Sequence, residues 1–137
     1  MTAARSLDDI AEEYGFLDAD DRYRLLIELG RDLPPMPTEL KTDATRVPGC
    51  SASVWVYPLA ADGQLAFLAD SNAAITKGII ALVLAAVAGK PAAEVAAMDV
   101  MAALAPFDLK AQLSSNRTQG LPNMIALVRE HAARVAG

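Results

Sequence analysis

The sequence predicts a two-layer α+β domain: N-terminal helices, a three-stranded antiparallel meander, then C-terminal helices. Two observations set this class. The apolar period is helical at first, becomes an alternation in the middle of the chain, and is helical again to the end. Strands are therefore segregated from helices, whereas a parallel doubly wound sheet needs the two to alternate. The second observation is compositional. Hydrophobic residues make up 53% of 137, but aromatics only 5%, so Ala, Leu and Val fill the core and helices can pack closely. This length fits one domain over residues 1–137, able to bury about 68–70% of its unfolded surface without metals or staples.

Ser6-Leu-Asp-Asp9 reads as a capping box opening a short helix that ends at Gly15. Asp18 caps a second helix, with Asp20 and Asp21 favourably placed in its first turn. Its expected apolar face is Tyr23, Leu26, Ile27, Leu29 and Leu33, and Pro34-Pro35-Met36-Pro37 stops it. A short first strand is expected around Ala44–Val47, leading into the turn Pro48-Gly49-Cys50. Val54, Val56 and Pro58 then point one way while Trp55 and Tyr57 point the other. Asp62-Gly63 marks a two-residue hairpin, and the returning strand spans Gln64–Ala69 with Leu65 and Phe67 on one face.

Ser71 or Asn72 is expected to cap a long helix through Ile75, Ile79, Leu82, Val83 and Ala86, closed by Gly89. Pro91 can start a short helix, because its missing N–H is an orphan there in any case, and Asp99 caps another. The last helix carries Leu121, Met124, Ile125, Val128, Ala132 and Val135 on one face. Pro122 calls for either a kink or a late start to it.

Charge and targeting signals exclude several function classes. A net charge of −5 argues against a phosphate-binding surface, since nucleic-acid affinity rests on concentrated Lys and Arg. The partner is expected to be a protein or a small molecule. Asp8, Asp9, Glu12 and Glu13 stand where an export signal would need basic and then apolar residues. The uncharged apolar run Gly78–Gly89, between Lys77 and Lys90, is shorter than the about 20 residues of a membrane span, so it reads as a buried core helix. An unpaired cysteine without an export signal points to the reducing cytoplasm.

Cys50 is the only cysteine, at the mouth of the Pro48-Gly49 bend and just ahead of an alternating strand. One thiol cannot close an internal disulfide, and with a single histidine it cannot complete a structural zinc site. Any chemistry at Cys50 involves a partner outside this chain; otherwise it is a small buried hydrophobe. The sequence has no phosphate-cradling glycine loop, HExxH or His/Cys cluster. His131 beside Glu130 reads as a surface histidine on the exposed side of the last helix, the other reading being a base for the thiol. Ser71, Thr76, Ser114 and Ser115 read as caps or local backbone partners, and Met98, Met101 and Met124 as core filler. Asp70 precedes a helix cap, which accounts for it structurally. Arg117, flanked by small polar groups at a helix entrance, either is solvated or faces a thiolate or a partner carboxylate.

The chain resembles the SufE family of sulfur acceptors, the accessory proteins of cysteine desulfurases. The resemblance covers nearly all of it. It shows in Ile27-Glu-Leu-Gly30 followed by the prolines, and in Val47-Pro-Gly-Cys-Ser-Ala-Ser-Val-Trp-Val56. It continues in Ala69-Asp-Ser-Asn-Ala-Ala-Ile-Thr-Lys-Gly-Ile-Ile80 and in Leu113-Ser-Ser-Asn-Arg-Thr-Gln-Gly120. The Gly49-Cys-Ser-Ala-Ser-Val-Trp55 and Arg-x-Gln-Gly segments are specific in this order and separation. Pro122 and Asn72 depart from the pattern, the latter standing where some relatives carry an acidic residue.

The resemblance implies that Cys50 accepts sulfur as a persulfide, with a fold shared with iron–sulfur scaffolds of the IscU type. It also implies a pyridoxal-phosphate cysteine desulfurase of the SufS or CsdA type as partner, with a downstream sulfur or iron–sulfur acceptor protein. The acceptor itself would bind no cofactor and act as a sulfur-transfer accessory rather than a stand-alone enzyme. Asp70 and Arg117 are expected near the Cys50 loop, Arg117 as electrostatic partner and Asp70 as organiser, with the thiol sheltered against apolar residues. Monomer and homodimer both stay open. The rivals are an iron–sulfur scaffold with Cys50 from each half of a dimer, a cysteine hydrolase using His131, and a helical interaction module.

Overall fold

Six helices and one antiparallel strand pair are seen in the computed structural model, which describes residues 6–49, 53–59, 65–109 and 120–136. In chain order they are α1 (Leu7–Gly15), α2 (Ala19–Arg31), β1 (Val54–Leu59), β2 (Ala66–Ser71), α3 (Ala74–Val87), α4 (Ala92–Ala97), α5 (Val100–Ala103) and α6 (Gly120–Ala136). Single 3-10 turns at Thr38–Leu40 and Ala105–Phe107 complete the set.

The expected caps at three helices form. Ser6 accepts from the Asp9 N–H, Asp18 from the Asp21 N–H and Asp99 from the Ala102 N–H. Each satisfies one donor that the first helical turn leaves without a partner. At α3 the expectation fails: the N-cap position is Ala73, which has no side-chain cap. The Ser71 hydroxyl instead accepts from the Ala73 N–H, and the Asn72 side chain turns away to residue 53.

The uncharged run becomes the central helix. α3 buries Ile75, Ile79, Ile80, Leu82, Val83, Ala86 and Val87, because α2, β2, α1 and α5 all pack around it. Its crossing with α2 is set by two glycines. A Cβ on Gly78 would lie 2.1 Å from the Leu26 carbonyl oxygen, and one on Gly30 would lie 2.7 Å from the Lys77 Cβ. The expected α2 face is corrected accordingly: Tyr23 is exposed, while Leu25, Leu26 and Gly30 are buried. The stripe centres on the residues that meet α3 backbone to backbone, which a count of apolar side chains does not detect.

The sheet departs from the expected three-stranded meander, having two strands among the described residues, paired Val54↔Ser71 through Leu59↔Ala66. The first expected strand contracts to one bridge, Arg46↔Trp55, with Val47 N–H donating to Val54 O and Val56 N–H to Thr45 O. Thr45 curls its hydroxyl back to the Leu40 carbonyl and Pro48 has no N–H, so pairing is cut off on both sides. β2 runs two residues beyond its expected end, taking in Asp70 and Ser71; the Asp62-Gly63 hairpin lies outside the described residues.

α6 buries Leu121, Met124, Ile125, Val128 and Ala132, packs on α4, and leaves Val135 exposed. Pro122 is its third residue, in the first turn, where a missing N–H breaks no ladder. Met101 is exposed rather than core, whereas Met36, in the proline stretch, is buried. Tyr14 and Phe107 close the far end of the core edge to face at 5.0 Å.

Candidate functional site

Cys50 and Arg117 lie outside the described residues, so the site is built from what flanks them. Upstream, Val47 is buried and its N–H donates to the Val54 carbonyl, so the described chain on the two sides of residues 50–52 is joined at the sheet. The Pro48 carbonyl accepts from Asn123 Nδ2 at 2.8 Å, bringing the turn to the first turn of α6. Gly49 follows with φ +87°, a left-handed conformation that suits glycine. Downstream, Ser53 N–H donates to Asn72 Oδ1 at 3.1 Å and its carbonyl accepts from the Asn72 N–H. Both chain ends next to residues 50–52 are thus tied by asparagines from other elements.

Beneath them is an apolar recess lined by Val54, Thr76, Ile79, Ile80, Gly120, Leu121 and Met124. Thr76 supplies the one polar side chain among the described residues that line it. The lining draws on three separate stretches: the start of β1, one face of α3 and the first turns of α6. Val54 belongs to the Gly49–Trp55 segment, Thr76 to Ile80 belong to the segment after Asp70, and Gly120 ends Arg-x-Gln-Gly. Motifs distant in sequence therefore border one apolar hollow, which Val54 joins from the chain that follows residues 50–52.

Asp70 sits in β2 opposite Trp55. Its carboxylate pairs with Lys41 Nζ at 2.7 Å and Lys77 Nζ at 3.3 Å, and accepts from the Ser71 N–H at 2.8 Å. Burial is the largest single influence and raises its pKa. The Lys41 hydrogen bond, the Ser71 N–H, and the Lys77 hydrogen bond and charge outweigh it, holding the carboxyl below its ordinary value. Lys41 also lies 5.5 Å from the centre of the Trp55 ring. Asp70 thus locks a strand, a helix and the segment before the sheet together, two residues from the Asn72 that holds Ser53. Sequence reasoning singled out Asp70 but missed Lys41, Lys77 and Asn123. Tethers of this kind depend on tertiary proximity and leave no local signal.

His131 is not on the exposed side of α6: it is half-buried and meets Phe67 edge to face at 5.6 Å. Among the described residues no three His, Cys, Asp or Glu side chains gather at one point, and no helix is long and apolar enough to cross a membrane.

The SufE family model, described as an Fe-S metabolism associated domain, matches residues 8–132. The chain is 42% identical over 132 residues to an uncharacterized SufE-like protein of Rhizobium etli, covering 93% of this chain and 89% of that one. It is 45% identical over 103 residues to the sulfur acceptor protein CsdE of Escherichia coli, covering 74% of this chain and 70% of that protein. The solution structure of a hypothetical protein from Thermus thermophilus matches with a TM-score of 0.76 at 17% identity, over 95% of both chains, which shows the shared fold. A recess bordered by the motif segments, and a family match that spans almost the whole chain, agree: this protein belongs to the SufE family.

Proposed function

We propose that this protein is a sulfur acceptor and activator for a pyridoxal-phosphate cysteine desulfurase, carrying sulfur as a persulfide on Cys50 towards iron–sulfur cluster assembly. The observation that carries the reading is the recess beside the Cys50 flanks, bordered by all three of the later motif segments. The similarity to a sulfur acceptor protein of Escherichia coli supports the same chemistry.

In the transfer, the Cys50 thiolate attacks the outer sulfur of a persulfide on the desulfurase. A new S–S bond forms at Cys50, the donor S–S bond breaks, and the desulfurase cysteine leaves as thiolate. No electrons are gained or lost overall. Arg117 acts as electrostatic partner, stabilising the thiolate and lowering its pKa from about 8.5. Asp70 acts as organiser, fixing β2 ahead of Asn72. A second thiol would attack the new persulfide and discharge it as sulfide, and the chain has none. The apolar recess shelters the sulfur from cytoplasmic thiols between donor and acceptor.

The test is turnover of a cysteine desulfurase, read as alanine released from cysteine. The protein is expected to raise it, and Cys50→Ser to remove the stimulation while the variant still folds. Equal stimulation by Cys50→Ser would contradict the reading.

A further inference from the structure

Asn123 is an exposed residue in the first turn of α6, yet its amide reaches 75 positions back along the chain to the Pro48 carbonyl. That carbonyl is the one backbone hydrogen-bonding group a proline has. Its neighbours on the helix, Leu121 and Met124, face into the apolar recess, so the bond draws the Pro48-Gly49 turn to the recess wall. The adjoining strand segment does not need it, because Val47 is already bonded to Val54. An exposed hydrogen bond competes with water and adds little to the fold, but it fixes the turn immediately before Cys50.

Resting on the sulfur-acceptor reading, we propose that Asn123 is a positioning residue for sulfur transfer: by holding the Pro48 carbonyl it sets, through Gly49, where Cys50 is presented and how open it is before a desulfurase docks. The group that matters is the amide N–H. Asparagine supplies it at the length the turn requires, and aspartate, of the same size, cannot donate.

Iodoacetamide alkylation of the full chain tests this directly, because Cys50 is its only thiol. The rate is followed across pH for the wild type, Asn123→Ala and Asn123→Asp. The plateau above the thiol pKa reads access separately from ionisation. Both variants are expected to raise the plateau about 2- to 10-fold, the factor one net hydrogen bond is worth. Asp18→Ala, which removes the α2 cap away from this turn, is expected to lower the thermal midpoint and leave the plateau unchanged. An unchanged plateau in both Asn123 variants, or an equal rise in Asp18→Ala, overturns the assignment. Sulfur loading from a desulfurase, measured on the same proteins, fails in the wild type if the acceptor reading is wrong, but not if only Asn123 is misassigned.

Discussion

The α2–α3 crossing and the flanks of Cys50 are held by opposite kinds of force. At the crossing, Gly30 and Gly78 let two backbones meet, and buried Leu25, Leu26, Ile79 and Leu82 fill the surroundings. No single contact there can be released without disturbing its neighbours, because interiors are close-packed. At the Cys50 flanks the ties are separate hydrogen bonds from Asn123 and Asn72, beside the Lys41–Asp70–Lys77 cluster. Each of these can be broken alone. The fold is built on the first region, whereas the second holds the chain on either side of Cys50 by contacts that yield one at a time.

The largest effect should come from breaking the packed side of that comparison. Gly78→Ala puts a Cβ against the Leu26 carbonyl, a backbone atom that cannot step aside. Urea unfolding is expected to show a loss at or above the upper end of the roughly 1–3 kcal/mol typical of overpacking. A change within experimental error would mean the crossing is looser than described.

Asp70→Asn probes the polar side, and its effect should be smaller and depend on pH. The carboxylate side chain is 18% exposed and binds two lysines, so its loss is expected to cost about 1–2 kcal/mol at pH 7. Its folded pKa is held below the unfolded value of about 3.9. The contribution is therefore complete above that value and fades as pH falls through the folded pKa. Wild type and variant should converge in stability on acidification, and a gap that persists in strong acid would show that the carboxylate's charge is not the cause.

His131→Ala should do least. Its edge contact with Phe67 is worth about 0.5–1.5 kcal/mol at most, and sulfur acceptance should be retained. Loss of acceptance with the fold intact would make His131 a base for the thiol after all.

Much of the packed region was legible in the sequence. The caps at Ser6, Asp18 and Asp99 are local chemistry, and α3 announced itself as an uncharged run between two lysines. The glycine crossing was not legible, since a residue with no side chain adds nothing to an apolar stripe. The first strand was over-read because alternation cannot show that Thr45 and Pro48 truncate its pairing. At the site, the motifs pointed to Cys50, Asp70 and Arg117, of which Asp70 alone lies within the described residues. The tethers from Asn123 and Lys41 were invisible, because residues far apart in sequence meet only once the fold has formed.

Intact mass after incubation with a cysteine desulfurase and free cysteine is the measurement that decides whether Cys50 accepts sulfur. The wild-type chain is expected to gain one sulfur atom, removed by a reducing thiol and absent from Cys50→Ser. A wild-type chain that gains no sulfur, or a Cys50→Ser variant that gains it equally, would show that Cys50 is not the acceptor.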